Sequence, residues 1–181
     1  MSTPTDQDEG LWTHIVRFDA ARRGLEVELT ADEAVRRRIA AAFGMISLDS
    51  LSVRAVVRAA KSHKPMVTLR LDLKGDVTQE CGVSLEPFSH PIAGELTLDI
   101  IEAADVTDEV IGIGEAELSL GDLDEPDVIG NGQIDLGQYA IEALGEAYDP
   151  FARKPGAVFE EPEAEREPSP FAVLAKLKRD E

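Results

Sequence analysis

The sequence predicts an α+β fold. It reads as an antiparallel β-meander sheet, open or closed toward a barrel-like form, with two packing helices, an acidic insertion and a disordered linker ending in a short C-terminal helix. Long runs alternate apolar and polar residues with a period of two, the pattern of strands with one wet face. Two stretches instead space their apolar residues three and four apart behind cap signals, the pattern of helices that bury one stripe. Near the end, a Glu- and Pro-rich stretch has too few apolar groups to fold. The resulting layout is a disordered N-terminus over 1–10, a single α+β domain over 11–158, an acidic linker over 159–169 and a short helix over 170–181.

"LWTHIVRF" sets Leu11, Thr13 and Ile15 against Trp12, His14 and Val16 and predicts a strand, and "GLEVELT" continues that character. Thr30-Ala-Asp-Glu33 has the spacing of a capping box and predicts a helix through "ADEAVRRRIAAAF", with Gly44 as its left-handed stop. Val35, Ile39 and Phe43 share one face, and Arg36, Arg37 and Arg38 wrap the other. The plain reading of three such arginines is a solvated face; the functional one is a local RNA contact.

From Leu48 onward "SLSVRAVVRA", "MVTLRLDLKGDVTQECGVSLEP" and "IAGELTLDII" predict antiparallel strands, with "KSHKP" and "EPFSHP" as the turns between them. Gly75 marks a bulge or a break within the middle run. Cys81 falls in that alternation and is expected to be a buried thiol. The acidic segment from Glu102 to Gln133 reads as a loop-rich insertion with one edge strand. A second helix follows, with Asp135 and Gln138 at cap spacing and Leu136, Tyr139, Ala140, Ala143, Leu144, Ala147 and Tyr148 on one stripe. Asp149-Pro150 ends it, and Pro155-Gly156 turns the chain again. In the last segment Ser169 is an N-cap, Pro170 takes the first helical position, and Phe171, Val173, Leu174 and Leu177 form a stripe too small to hold a helix alone in water.

Charge narrows the function classes. The net charge is −18, and the 78 residues from Gly75 to Ala152 hold 19 Asp and Glu but no Lys or Arg, until Arg153 and Lys154 restore a positive charge. Such a half repels phosphate backbones and anionic membranes and draws basic partners. A single cysteine among 181 residues leaves no disulfide framework, and together with the absence of a signal-like N-terminus and of a long apolar run it predicts a cytoplasmic protein. No cofactor, metal or catalytic constellation is nominated: "GIGEAE" lacks the third glycine of a dinucleotide loop, "DLDEPD" carries Pro126 and Asp127 where a calcium loop needs other residues, and His14, His63 and His90 are scattered. The expectation is a non-enzyme.

Three pieces in order, "VTQECGVSLEPFSHPI", "GQIDLGQYAIEALGEAYDPFARKPGA" and "SPFAVLAKLK", resemble the YceD family, the large ribosomal RNA subunit accumulation proteins of bacteria and plastids, and most of all its alphaproteobacterial branch. The likeness spans roughly residues 50 to 178. Carried over position by position, it marks Cys81, Leu85, Glu86 and Pro87; then Ile134, Asp135, Leu136, Glu142, Leu144, Asp149 and Pro150; then Arg153, Lys154, Pro155 and Gly156; and finally Pro170, Phe171, Leu174 and Lys176. Many relatives carry Cys-x-x-Cys where this chain has Cys81-Gly82-Val83-Ser84, so the resemblance brings no metal role with it. It implies a non-enzymatic role in synthesis, processing or stability of large-subunit ribosomal RNA. The implied partner is that RNA or its precursor particle; joined with the acidity of the second half, this leads to the expectation of a basic ribosomal protein or assembly factor held on the acidic surface. The alternatives are an RNA chaperone acting through the basic N-terminal half and a small-molecule-binding domain.

Overall fold

A computed structural model describes residues 10–61, 65–105 and 125–159 of the chain. The alternation predicted for β-structure builds a mostly antiparallel five-stranded sheet in the order β2-β3-β4-β5-β6. Its strands are β2 (Leu25–Thr30), β3 (Ser47–Ala59), β4 (Met66–Glu80), β5 (Pro87–Glu102) and β6 (Asp127–Ile129). The last of these pairs parallel to β5. A separate two-stranded ribbon joins β1 (Ile15–Arg17) to β7 (Gln133–Asp135). Helices α1 (Phe18–Ala21), α2 (Glu33–Phe43) and α3 (Leu136–Ala147) complete the described fold. The sheet is open, not barrel-like: β2 and β6 are its two edges and do not meet.

One face of the sheet carries the core. Val53, Ala55 and Val57 of β3 line up with Val67, Leu69, Leu71 and Leu73 of β4, all buried, and Ile39 of α2 and Ala140, Ala143 and Leu144 of α3 belong to the same cluster. Each large aliphatic chain so buried contributes roughly 1.5–3 kcal/mol. The opposite face is wet and cross-linked by charge: Arg54 and Arg58 pair with Glu26, while Arg70 pairs with Asp72 and Glu95. Phe43 and Tyr148 meet edge to face at 5.8 Å and tie the C-terminal ends of α2 and α3 together.

Several local expectations are corrected. Helix α2 is capped by Asp32, whose carboxylate accepts from the Val35 N–H at 2.8 Å, because Thr30 is held as the last residue of β2, opposite Ser52. "LWTHIVRF" is a strand only over Ile15–Arg17; Trp12 and Phe18 are drawn into the core, and Phe18 opens the one-turn α1, a third helix beside the two expected. "EPFSHP" is not a turn, because Pro87 to Pro91 pair with Glu80 to Asp76 and extend β5. The reversal lies before it, in Cys81–Glu86, so Cys81 is the first residue past β4 and not a strand residue. Gly75 neither breaks nor bulges β4. The irregularity is in β3, where Asp49 is left out of the pairing between Leu48 and Ser50. Glycine stands opposite because any Cβ there would collide with the Ser50 carbonyl oxygen.

The acidic insertion does carry an edge strand, β6, and β7 of the ribbon starts at its last residue, Gln133. The "GIGEAE" segment, Asp122 to Asp124 of "DLDEPD", His63, the linker from Glu160 and the terminal helix with Pro170, Phe171, Leu174 and Lys176 lie outside the described residues.

Candidate functional site

The site is a clasp between two segments about seventy residues apart in the chain, the turn Cys81–Glu86 and the exit Asp149–Gly156. At the end of β4 the apolar alternation Val67, Leu69, Leu71, Leu73, Val77 continues into Gln79, which therefore points inward and is only 2% exposed. A buried amide needs partners. The Gln79 Nε2 donates to the Asp149 carbonyl at 2.9 Å, and its Oε1 lies 3.1 Å from His90 Nε2, whose ring stacks on Phe88.

The turn then folds around sulfur. Cys81 N–H donates to the Glu86 carbonyl and Leu85 N–H to the Cys81 carbonyl, which forces Leu85 into left-handed backbone at φ 58°. The Cys81 Sγ accepts from the N–H groups of Val83, Ser84 and Lys154, each at 3.4 Å. The Ser84 side chain, then its backbone N–H, and with them those of Lys154 and Val83 favour the thiolate and lower the Cys81 pKa from 9.0 to about 6. The buried thiol expected from the sequence is thus buried but hydrogen-bonded, and it is the hub of the clasp.

The exit segment closes over this hub. Gly82 N–H donates to the Ala152 carbonyl at 3.0 Å, and a Cβ on Gly82 would stand 2.7 Å from the Phe151 carbonyl oxygen. Asp149 turns the chain by accepting from Phe151 N–H, and Pro155-Gly156 form a tight turn closed by Ala157 N–H on the Lys154 carbonyl, with Gly156 at φ 80°. Lys154 Nζ reaches Glu86 at 3.0 Å, an exposed pair worth ~0–1 kcal/mol. Arg153 is exposed and has no ion pair among the described residues. Leu85 in the turn and Phe151 in the exit are apolar projections, 71% and 77% exposed.

Of the positions marked from the sequence, the fold brings together Cys81, Leu85, Glu86 and Pro87 with Asp149, Pro150, Arg153, Lys154, Pro155 and Gly156. Others fall elsewhere. Asp135 caps α3, accepting from Gly137 and Gln138, and also receives the His14 N–H at 2.7 Å, so its role is architectural. Ile134, Leu136 and Leu144 are fully buried and offer no contact surface. Glu142 lies away from the clasp, in a shallow hollow with Asp127 and Tyr139. Burial first, and then the neighbouring Asp127 and Glu146, raise its pKa.

The three consecutive arginines are engaged locally. Arg36 donates to the Ala31 carbonyl at 2.7 Å, Arg37 pairs with Glu33 one turn back, and Arg38 reaches the Leu11 carbonyl at 3.3 Å. Gln79, His90, Gly82 and Phe151 were not singled out from the sequence. Gln79 had a legible signal, a polar residue at an inward strand position.

No group of three or more His, Cys, Asp or Glu side chains is placed to hold a metal among the described residues. None of the described helices is long and apolar enough to cross a membrane. The sequence profile described as "Large ribosomal RNA subunit accumulation protein YceD" matches residues 69–178. The chain belongs to the YceD family. Both halves of the clasp fall within the match, and Arg36 to Arg38 fall outside it. The family's description ties it to accumulation of large-subunit ribosomal RNA, in keeping with a part in ribosome biogenesis. A search of curated proteins found no match, and a search of solved structures found none.

Proposed function

We propose that the protein is a non-enzymatic cytoplasmic factor that supports large-subunit ribosomal RNA by holding a basic ribosomal protein or assembly factor on its acidic half, with Arg153 and Lys154 of the exit segment as a specific contact point. The observation that carries this reading is the contrast in available charge. Arg54, Arg58 and Arg70 are paired with carboxylates of the same sheet face, and Arg36 to Arg38 are engaged on their own helix and its neighbouring loops. A chain with a net charge of −18, in which these six arginines are engaged locally, is poorly equipped for broad phosphate contact, which needs Lys or Arg for each phosphate. A basic protein faces no such barrier and is drawn in at long range.

The test is capture of proteins and RNA from ribosome-precursor particles by the full chain. Basic ribosomal proteins should be retained near 0.1 M salt and released toward 1 M, over which the Debye length shortens from about 10 Å to about 3 Å. Capture that ignores salt, or that recovers RNA without any ribosomal protein, overturns the acidic-scaffold reading. Charge reversal at Arg36, Arg37 and Arg38 separates it from direct RNA binding, which alone should collapse.

A further inference from the structure

We propose that the C-terminal segment Ser169–Lys178 docks in cis on the corner of the clasp, so that the chain covers its own exposed apolar side chains there. The inference is independent of the ribosomal role. Of the seven large hydrophobic side chains exposed among the described residues, four belong to this corner: Leu85, Phe151, Val158 and Phe159. Val158 and Phe159 line a groove of about 520 Å³ between the Val83–Glu86 turn and the Lys154–Phe159 strap, Leu85 belongs to that turn, and the Phe151 backbone packs on Gly82. Exposed apolar side chains gathered on neighbouring segments beside a groove mark a place where something binds.

The occupant is argued from where the chain goes. The described structure ends at Phe159, inside the wall of the groove itself. Ten residues, Glu160 to Ser169, separate that point from an apolar stripe of Phe171, Val173, Leu174 and Leu177. Fully extended, such a spacer reaches roughly 33–36 Å, far enough for the stripe to return to any part of the corner. A short tether of this kind gives an effective concentration on the order of millimolar, which a partner in solution must exceed. A helix this short is marginal alone and gains most from a preformed apolar surface within reach.

Hydrogen exchange read by mass spectrometry on the full chain tests this from both sides. The double variant Leu174→Glu with Leu177→Glu should lose protection in peptides covering residues 82–86 and 151–159 while the β3–β4 peptides stay unchanged. The reciprocal variant Phe151→Ser with Phe159→Ser, which alters only exposed side chains, should lose protection over residues 171–178. Sedimentation should show a monomer in each case. Protection of residues 171–178 that is absent in the wild type, or that survives both corner substitutions, overturns the proposal. Protection that rises with protein concentration overturns the cis arrangement in favour of a second copy. Protection that forms only when ribosomal proteins are added assigns the corner to a partner instead.

Discussion

Two basic clusters in this protein look alike as text and differ in space. On α2, Arg36, Arg37 and Arg38 form the densest run of cations in the chain, yet each is turned back onto a carbonyl or carboxylate of its own neighbourhood. At the exit from α3, Arg153 and Lys154 are only two residues, but they ride on a clasp whose backbone is pinned by Cys81, Gly82 and Gln79, and Arg153 projects without an ion pair among the described residues. The number of cations in a segment therefore says little about how many can meet a partner. That depends on whether local oxygens have already claimed them.

The comparison breaks most severely at Gly82. Gly82→Val places branched carbon against the Phe151 backbone, and should open the clasp at a cost of ~1–3 kcal/mol in urea unfolding while leaving the α2 face unchanged. Gln79→Leu should cost a similar ~1–3 kcal/mol, because the Asp149 carbonyl loses its buried donor. An unchanged midpoint would mean that water replaces the amide.

Next in size is the helix cap. Asp32→Ala removes the acceptor for Val35 N–H and should destabilise α2 by ~0.5–2 kcal/mol without altering exchange at residues 81–86, which tests whether the two regions are independent. A pH titration sharpens the clasp itself. The Cys81 pKa is lowered in the fold to about 6 from an ordinary 9.0, so its contribution is fully present above pH 9 and is lost as pH falls through 6. Protection at Val83, Ser84 and Lys154 should therefore fall over that window in the wild type and remain flat in Cys81→Ala. A parallel fall in both would assign the effect to another group.

The smallest stability effect and the most informative functional one belong to Arg153→Glu with Lys154→Glu. Only one exposed ion pair is lost, so stability should change by no more than about 1 kcal/mol, while support of large-subunit RNA in cells should drop. A large fall in melting temperature would make the pair a structural clamp and not a contact.

Period-two alternation made β3, β4 and most of β5 legible, because a strand with one buried face must repeat every second residue. Cap chemistry and the three-four stripe likewise disclosed both long helices. The errors cluster where a residue serves two masters. Thr30 has the chemistry of a cap but is held in β2, and the Pro-rich start of β5 looks like a turn because nothing local reveals that Glu80 to Asp76 will pair with it. The family likeness marked both halves of the candidate site as separate motifs, but it did not reveal that they touch.

Composition and local pattern by themselves determined the long strands, the two long helices, the uneven charge and the family, since each depends on residues near one another in the chain or on their sum. The sheet's openness, the bulge at Asp49 and the meeting of Cys81 with Lys154 were decided only in the tertiary structure. Those features depend on strand register and on contacts between residues 68 to 73 positions apart, and the energy of such contacts exists only after the intervening chain has closed into place.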